Sequence, residues 1–296
     1  MNFLKNYIDK LFFNDSWQIG MLNLNGKALD QISNADLTWH KFTNEEYEAD
    51  PFFLVIKEQI YILFESYSIS SLYGKIKAFD FKGNEYDFFS EINLNGNHKS
   101  YPFIFYDDDE IYCLPEECEK KNLTLYKFNT NVNRFVFDRV ILSGEEFIDT
   151  NIFKKNDLYF LSTSTKDKPE KQRVFWSKAL NNKFVEHPFS PIKESTKYGR
   201  NGGFIDYKDS IYRVSQDFTN FYGEKISIFK IVSCSNSIYL EEKILDLDVK
   251  KLEIDYLGIH TLTNYKDYFL LDAKRKEFNL LNPFKKFLAL LRKKLH

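Results

Sequence analysis

One pattern occurs five times in this chain, and its spacing restricts the fold more than any other feature. "DPFFLVIKEQIYILFE" (Asp50 to Glu65) aligns without a gap with "YPFIFYDDDEIYCLPE" (Tyr101 to Glu116). Looser copies follow: "DTNIFKKNDLYFLST" from Asp149, "NGGFIDYKDSIYRVSQ" from Asn201 and "LGIHTLTNYKDYFLLD" from Leu257, so that successive copies start 51, 48, 52 and 56 residues apart. In each, an apolar run leads through a polar turn to a tyrosine: Tyr61, Tyr112, Tyr159, Tyr212 and Tyr268. Four residues later stands a polar side chain: Glu65, Glu116, Thr163, Gln216 and Asp272.

An apolar run, a turn and a second run read as a β-hairpin. The segments between hairpins, such as "LTLYKFN", "RVFWSKAL", "KISIFKIVS", "YDFFSEINL" and "KFVEHPF", also read as strands. Four strands per unit of roughly 50 residues predict an all-β fold, a five-bladed β-propeller. A lone sheet of this kind cannot bury both faces, whereas radial stacking does. The last unit lacks material after Asp272, and "SWQIGMLNL" (Ser16 to Leu24) is expected to complete it, with an irregular cap as the other reading. The organisation expected is an N-terminal helical extension over 1–15, the propeller over 16–280 and a C-terminal helix over 281–296.

Composition narrows the function classes. The 30 Phe, 19 Tyr and 3 Trp suit strands and cores, and some could stack on sugars. A net charge of −2 offers no field for nucleic acid, and no nucleic-acid-binding motif is present. The 3 cysteines are odd in number and lack metal-ligand spacing, which suits a reducing compartment. The N-terminus lacks an apolar signal-peptide core, and no apolar run approaches the roughly 20 residues of a membrane span. A cytoplasmic location, with no cofactor and no metal, is the expectation. "NGG" (Asn201 to Gly203) reads as a tight bend, and His98 and His260 lack companions at metal-ligand spacing.

If the first strand of each unit lines a central channel, the residues opening each copy share one rim. These are Asp50, Ser100 with Tyr101, Asp149, Arg200 with Asn201, and His260 slightly deeper. Asp50 and Asp149 are then candidate catalytic groups; a turn or strand-capping role is the alternative. Glu65 and Glu116, each following an apolar strand, are either functional or structural acids receiving donors between units. As a free rim group, Asp50 is expected to tolerate exchange for Asn within about 1 kcal/mol of stability.

The stretches "WQIGML", "ADPFF", "ILFE", "YGKI", "HKSYPFIF", "CLPE", "SQD" with "YGEKI", and "GIHTL" resemble the arabinanase-like propeller at the N-terminus of plant glucosamine inositolphosphorylceramide transferases. Similar propellers occur in bacterial surface-polysaccharide gene clusters. The resemblance covers about residues 17 to 275 and places Gln216, Asp217 and Tyr222 beside Ser100, Tyr101, Arg200, Asn201 and His260 as candidate substrate-binding residues. More distantly, "ADP" is similar to the first-blade motif of family 43 glycoside hydrolases, whose aspartate is a general base. "DTNIF" is similar to their later motif that tunes the acid, with Thr150 in place of proline. Their glutamate–glycine–proline acid motif is missing, and "YGRNGG" offers Arg200 at a comparable place; an arginine binds anions but donates no proton at neutral pH. The resemblance implies a glycan-active protein of bacterial surface-polysaccharide (lipopolysaccharide or capsule) assembly, acting as or with a glycosyltransferase on an activated sugar or a lipid-linked acceptor. A glycosidase with Asp50 as base and a non-catalytic sugar-binding module are the alternatives.

The tail "LNPFKKFLALLRKKLH" is of another kind. Phe284, Phe287, Leu288, Leu291 and Leu295 fall on one helical face, with Lys285, Lys286, Arg292, Lys293 and Lys294 around them and no acid. Such a helix either lies on an anionic membrane, here the inner face of the cytoplasmic membrane, or docks on the outside of the propeller.

Overall fold

The structure, a computed structural model, describes residues 11–69, 73–94 and 96–295, with the backbone alone for residues 290 and 292–295. All five sequence copies form antiparallel hairpins. Their first strands are Tyr47–Ile56, Ser100–Asp107, Phe147–Lys155, Arg200–Tyr207 and Gly258–Tyr265. Three of the connecting turns place both central residues at positive φ (Lys57–Glu58, Asn156–Asp157 and Lys208–Asp209), the two-residue geometry whose twist matches that of paired strands. Each first strand packs beside the next, and Gly258–Tyr265 returns to pack beside Tyr47–Ile56.

Further strands extend the hairpins outward into sheets with the order 4-3-2-1 in the middle units. The last unit is completed from the other end of the chain. Phe13–Asn23 pairs antiparallel with Tyr268–Phe278 along its whole length, from Phe13 opposite Phe278 to Asn23 opposite Tyr268. Asp36–His40 then pairs on its outer edge, and a parallel bridge between Trp17 and Tyr47 joins this unit to the first.

The apolar positions two residues after the repeated tyrosines pack the sheets together: Leu63, Leu114, Leu161, Val214 and Leu270 are all 0% exposed. Full burial of each such side chain contributes about 1.5–3 kcal/mol. The tyrosines themselves are less uniform. Tyr61, Tyr112 and Tyr159 are buried, and Tyr159 donates its hydroxyl to Asp107 of the preceding hairpin at 2.7 Å, whereas Tyr268 stands exposed.

Several expected boundaries are corrected. The N-terminal extension to residue 15 lies partly outside the described residues (1–10), and Phe13 to Asp15 already belong to a strand because Phe278 to Lys276 offer them a full register. "YDFFSEINL" supplies only the short strand Glu85–Tyr86 and then a helical turn at Ser90–Asn93, with Phe88, Phe89 and Ile92 turned into the core. "KFVEHPF" contributes only Val185–Glu186.

The same irregularity interrupts all five first strands. The register slips between Ala49 and Phe52, Ser100 and Phe103, Ile148 and Asn151, Asn201 and Phe204, and Ile259 and Leu262. Each slip is a β-bulge: one additional residue on the inner strand, which bends it and re-aims a side chain. In the fourth copy the bulge falls on glycine, because Gly203 holds φ at +130° and a Cβ there would lie 2.1 Å from the Leu262 carbonyl oxygen. Gly203→Ala is therefore expected to cost on the order of 3 kcal/mol or to prevent folding. Urea denaturation of the variant checks this; a midpoint equal to that of the parent would refute the tight approach of these two strands.

Candidate functional site

The bulges gather chemistry that lies far apart in sequence. Asp50, Tyr101 and Asp149 are the first bulge residues of three copies, and each sits at positive φ (51°, 46° and 46°). Non-glycine residues adopt this conformation at a cost of about 1–3 kcal/mol, and such strain clusters at functional sites. It persists here because the irregular backbone finds partners among the polar residues that follow the repeated tyrosines. Asp272 accepts the amides of His260 and Thr261 through Oδ1 and that of Asp50 through Oδ2. Glu116 accepts the Asp149 amide at 3.1 Å, and Gln216 donates to the Asn201 carbonyl at 2.6 Å.

His260 is the centre of this arrangement. Its Nε2 lies 3.2 Å from Asp50 Oδ1 and its Nδ1 2.8 Å from Asp272 Oδ1, the second contact being too bent for a hydrogen bond but close enough for strong attraction. Burial alone would depress the imidazole pKa; the Asp272 and Asp50 carboxylates outweigh it and push it up to about 10. Burial would likewise raise Asp50, but the hydrogen bond and charge of His260, with Thr261 and Arg200, hold it below the ordinary carboxylate value. The donor atoms of Asp50, His260 and Asp272 lie within 4.8 Å of one another. In this arrangement the imidazole bridges the two carboxylates as a salt-bridged triad. Beside it, Arg200 pairs with Asp149 and lies 5.1 Å from the Tyr222 ring.

Above these pairs opens a cavity of about 510 Å³, within the roughly 300–1,000 Å³ range of small-molecule sites. Its walls are Trp17, Tyr47, Tyr67, Tyr73 and Tyr222, and its polar groups include Glu65, His98, Glu116, Arg200 and His260. The Trp17 and His260 rings lie with centroids 4.1 Å apart, tilted by 50°. Glu65 meets His98 Nε2 at 3.2 Å, and the Gly74 amide donates to the other ring nitrogen at 3.0 Å. Burial raises the Glu65 pKa, opposed by His98. In Glu116, burial and then the Asp149 charge push the carboxyl up to about 8 although Arg200 offsets part. At neutral pH it is a neutral acid that can donate a hydrogen bond.

Of the candidate residues, Glu65, Glu116, Arg200, Tyr222 and His260 line this cavity. Asp50 and Asp149 lie beneath it, engaged by His260 and Arg200. Ser100, Tyr101, Asn201 and Gln216 are buried among the strands; Tyr101 donates to Asn151 at 2.7 Å and Asn201 to the Asp149 carbonyl at 2.8 Å. Asp217 is buried against Lys225, 3.5 Å away. Sequence reasoning did not single out Trp17, Tyr47, Tyr67 or Tyr73 as cavity walls. The signal for two of them was the placing of Tyr47 and Tyr67 just outside the bulged segment, where they face each other in register with rings 5.1 Å apart.

Two outcomes follow from this geometry. Asp50→Asn leaves a buried imidazolium with one counter-ion and is expected to destabilise by about 3 kcal/mol, which reverses the tolerance expected of a free rim group; urea melts decide between them. Glu116 has a folded-state pKa raised from 4.5 to about 8, so its contribution to stability is fully present below 4.5 and is lost as pH rises through 8. Thermal melts of Glu116→Gln across that interval should show a flatter pH dependence than those of the parent chain, and parallel curves would refute a neutral Glu116.

Comparison with known proteins agrees with the architecture and revises the setting. The catalytic domain of a Coprinopsis cinerea GH62 α-L-arabinofuranosidase superposes with a TM-score of 0.59 at 9% identity, covering 77% of this chain and 90% of that one. An α-L-arabinofuranosidase from Podospora anserina gives 0.59 at 8%, with the same coverage. At such identity the likeness shows a shared fold alone, an arabinofuranosidase-type propeller architecture. Glucosamine inositolphosphorylceramide transferase 1 of Oryza sativa subsp. japonica is 31% identical over 205 residues, 65% of this chain and 27% of the relative. Its Arabidopsis thaliana counterpart is 29% identical over 229 residues, 72% of this chain and 30% of the relative. The chain thus spans less than a third of the curated relatives it matches. These relatives are plant transferases, which overturns the expected role in bacterial lipopolysaccharide or capsule assembly. A family model described as glucosamine inositolphosphorylceramide transferase 1, N-terminal, matches residues 29–256, and the chain belongs to that family.

Proposed function

We propose that the cavity is a recognition pocket for a sugar or inositol ring, through which the chain serves a transferase of this family without hydrolysing its ligand. The observation that carries this reading is the division of labour among the carboxyl groups. Asp50, the residue that would have to act as a hydrolytic base, has its Oδ1 occupied by His260 and Thr261, at 3.2 and 2.9 Å. The groups facing the cavity are instead suited to hold hydroxyls: the neutral Glu116 donates and accepts, the Glu65–His98 pair accepts, and the tyrosines offer faces and hydroxyls. The names of the relatives, with their glucosamine and inositolphosphoryl components, support a polyol ring as the ligand.

We read the five bulged hairpins as five blades of one ring, with Phe13–Asn23 closing the last blade. The pairing of that strand with Tyr268–Phe278, and the return of the fifth first strand to the first, support this count.

Calorimetric titration of the chain with glucosamine, N-acetylglucosamine and myo-inositol tests the proposal. At least one should bind with a Kd near or below about 1 mM, and Tyr222→Ala should weaken it about tenfold through loss of the ring face. Release of sugar from aryl arabinofuranosides, abolished in Asp50→Asn at a pH where that variant is folded, would contradict the reading, as would binding that Tyr222→Ala leaves unchanged.

A further inference from the structure

The C-terminal helix (Asn282–Leu295) is attached by its polar side. The Asn282 side chain donates to the Phe12 carbonyl at 2.8 Å, Lys285 pairs with Glu46 at 2.6 Å, and Lys286 reaches the Phe13 carbonyl at 3.4 Å. This anchoring turns the apolar face outward. Phe284, Phe287 and Leu291, at i, i+3 and i+7, are 62%, 55% and 42% exposed. The stripe continues through Phe278, Leu280 and Leu281, all more than half exposed. An uncovered apolar stripe of this length marks an interaction surface.

Its location and charge indicate what covers it. Glu46, the partner of Lys285, precedes Tyr47, a wall of the polar cavity. Phe13, which packs on Phe278 with rings 5.3 Å apart, lies on the same strand as Trp17, another wall. Four residues of strand separate them, roughly 13 Å. The helix therefore sits at the cavity end of the inner strands; at their other end lies an apolar cavity lined by Phe52, Phe103, Phe105, Phe153 and Phe204. Phe221, 43% exposed and adjacent to Tyr222, adds an aromatic group at the same mouth. Lys285 and Lys286 are taken up by the attachment, while Arg292, Lys293 and Lys294 follow with no acid in residues 282–296, which favours an anionic surface over an apolar protein groove. The helix has 14 residues, about 21 Å of rise, too short to cross a bilayer of about 30 Å.

We propose that this face docks on an anionic lipid bilayer. The helix lies in the plane of the surface with Phe284, Phe287 and Leu291 at the boundary of the acyl region, and the mouth of the polar cavity is brought to headgroup level, where the ring of a glycosylated lipid would meet it. The docking itself does not require the cavity to bind sugar, so the two readings can fail separately.

Sedimentation of the full chain with glycan-free vesicles tests it, comparing phosphatidylcholine alone with a phosphatidylcholine–phosphatidylserine mixture. The chain should partition onto the mixed vesicles more strongly than onto the neutral ones, and salt should weaken that binding. Phe284→Ser with Phe287→Ser and Leu291→Ser should lose roughly tenfold in partitioning per side chain while keeping the parental melting temperature, since all three are exposed. Absence of vesicle binding by the parent, or equal binding by the triple variant, would overturn the proposal. So would concentration-dependent self-association, seen without lipid in the ultracentrifuge and lost in the triple variant, because it would assign the stripe to a second copy of the chain.

Discussion

The rest of the structure depends on one backbone irregularity repeated five times. A straight inner strand would send its side chains alternately into the two neighbouring sheets and leave nothing aimed at the end where the polar cavity opens. The additional residue in each first strand breaks that alternation at the same level of every hairpin. It also strands backbone amides away from the ladder, and buried amides need partners. The polar residue four places after each tyrosine lies opposite or beside the bulge, and it is polar in all five copies. Asp272 serves two hairpins at once by holding the amides of its own bulge and that of Asp50.

From this follows the electrostatic order beneath the polar cavity. Buried charges are stable only when paired, and the structure pairs the deepest of them: His260 between Asp50 and Asp272, Arg200 with Asp149, Arg213 with Glu241. The first two of these groups, around His260 and Arg200, form the floor of the cavity. Glu116 stands one layer above, near Asp149, where a further negative charge is unfavourable, so it keeps its proton. The floor is thus ionic, while the walls are aromatic and able to hydrogen-bond. Such a division suits recognition of a hydroxylated ring more than proton transfer by Asp50.

Much of this was legible in the sequence because it is local. The hairpins follow from apolar runs around polar turns, and Asp50, Asp149, Arg200 and His260 were identified because they open successive copies. What their side chains do was not legible. Whether Asp50 is free or bound depends on His260 and Thr261, more than 200 residues away, and a spacing of 210 residues gives no hint of a shared carboxylate. The strand expected at "YDFFSEINL" failed because Phe88, Phe89 and Ile92 find more burial as a turn and helix than an edge strand would give. The helical tail was recognised as amphipathic, but its outward-facing side is set by Glu46 and Phe12, which no helical periodicity reveals. The setting in bacterial surface polysaccharides rested on resemblance alone and was the part that the plant relatives corrected.

The protonation of His260 tests the account most directly, because the clamped imidazolium binds the bulge of the first hairpin to that of the fifth. The chain has 5 histidines, so ring nitrogens labelled with a heavy isotope can be followed individually by NMR as the pH is raised. The account predicts that both nitrogens of His260 remain protonated through neutral pH and that the ring titrates near 10. A ring that is already neutral at neutral pH would contradict it, since Asp50 would then lack its imidazolium counter-ion.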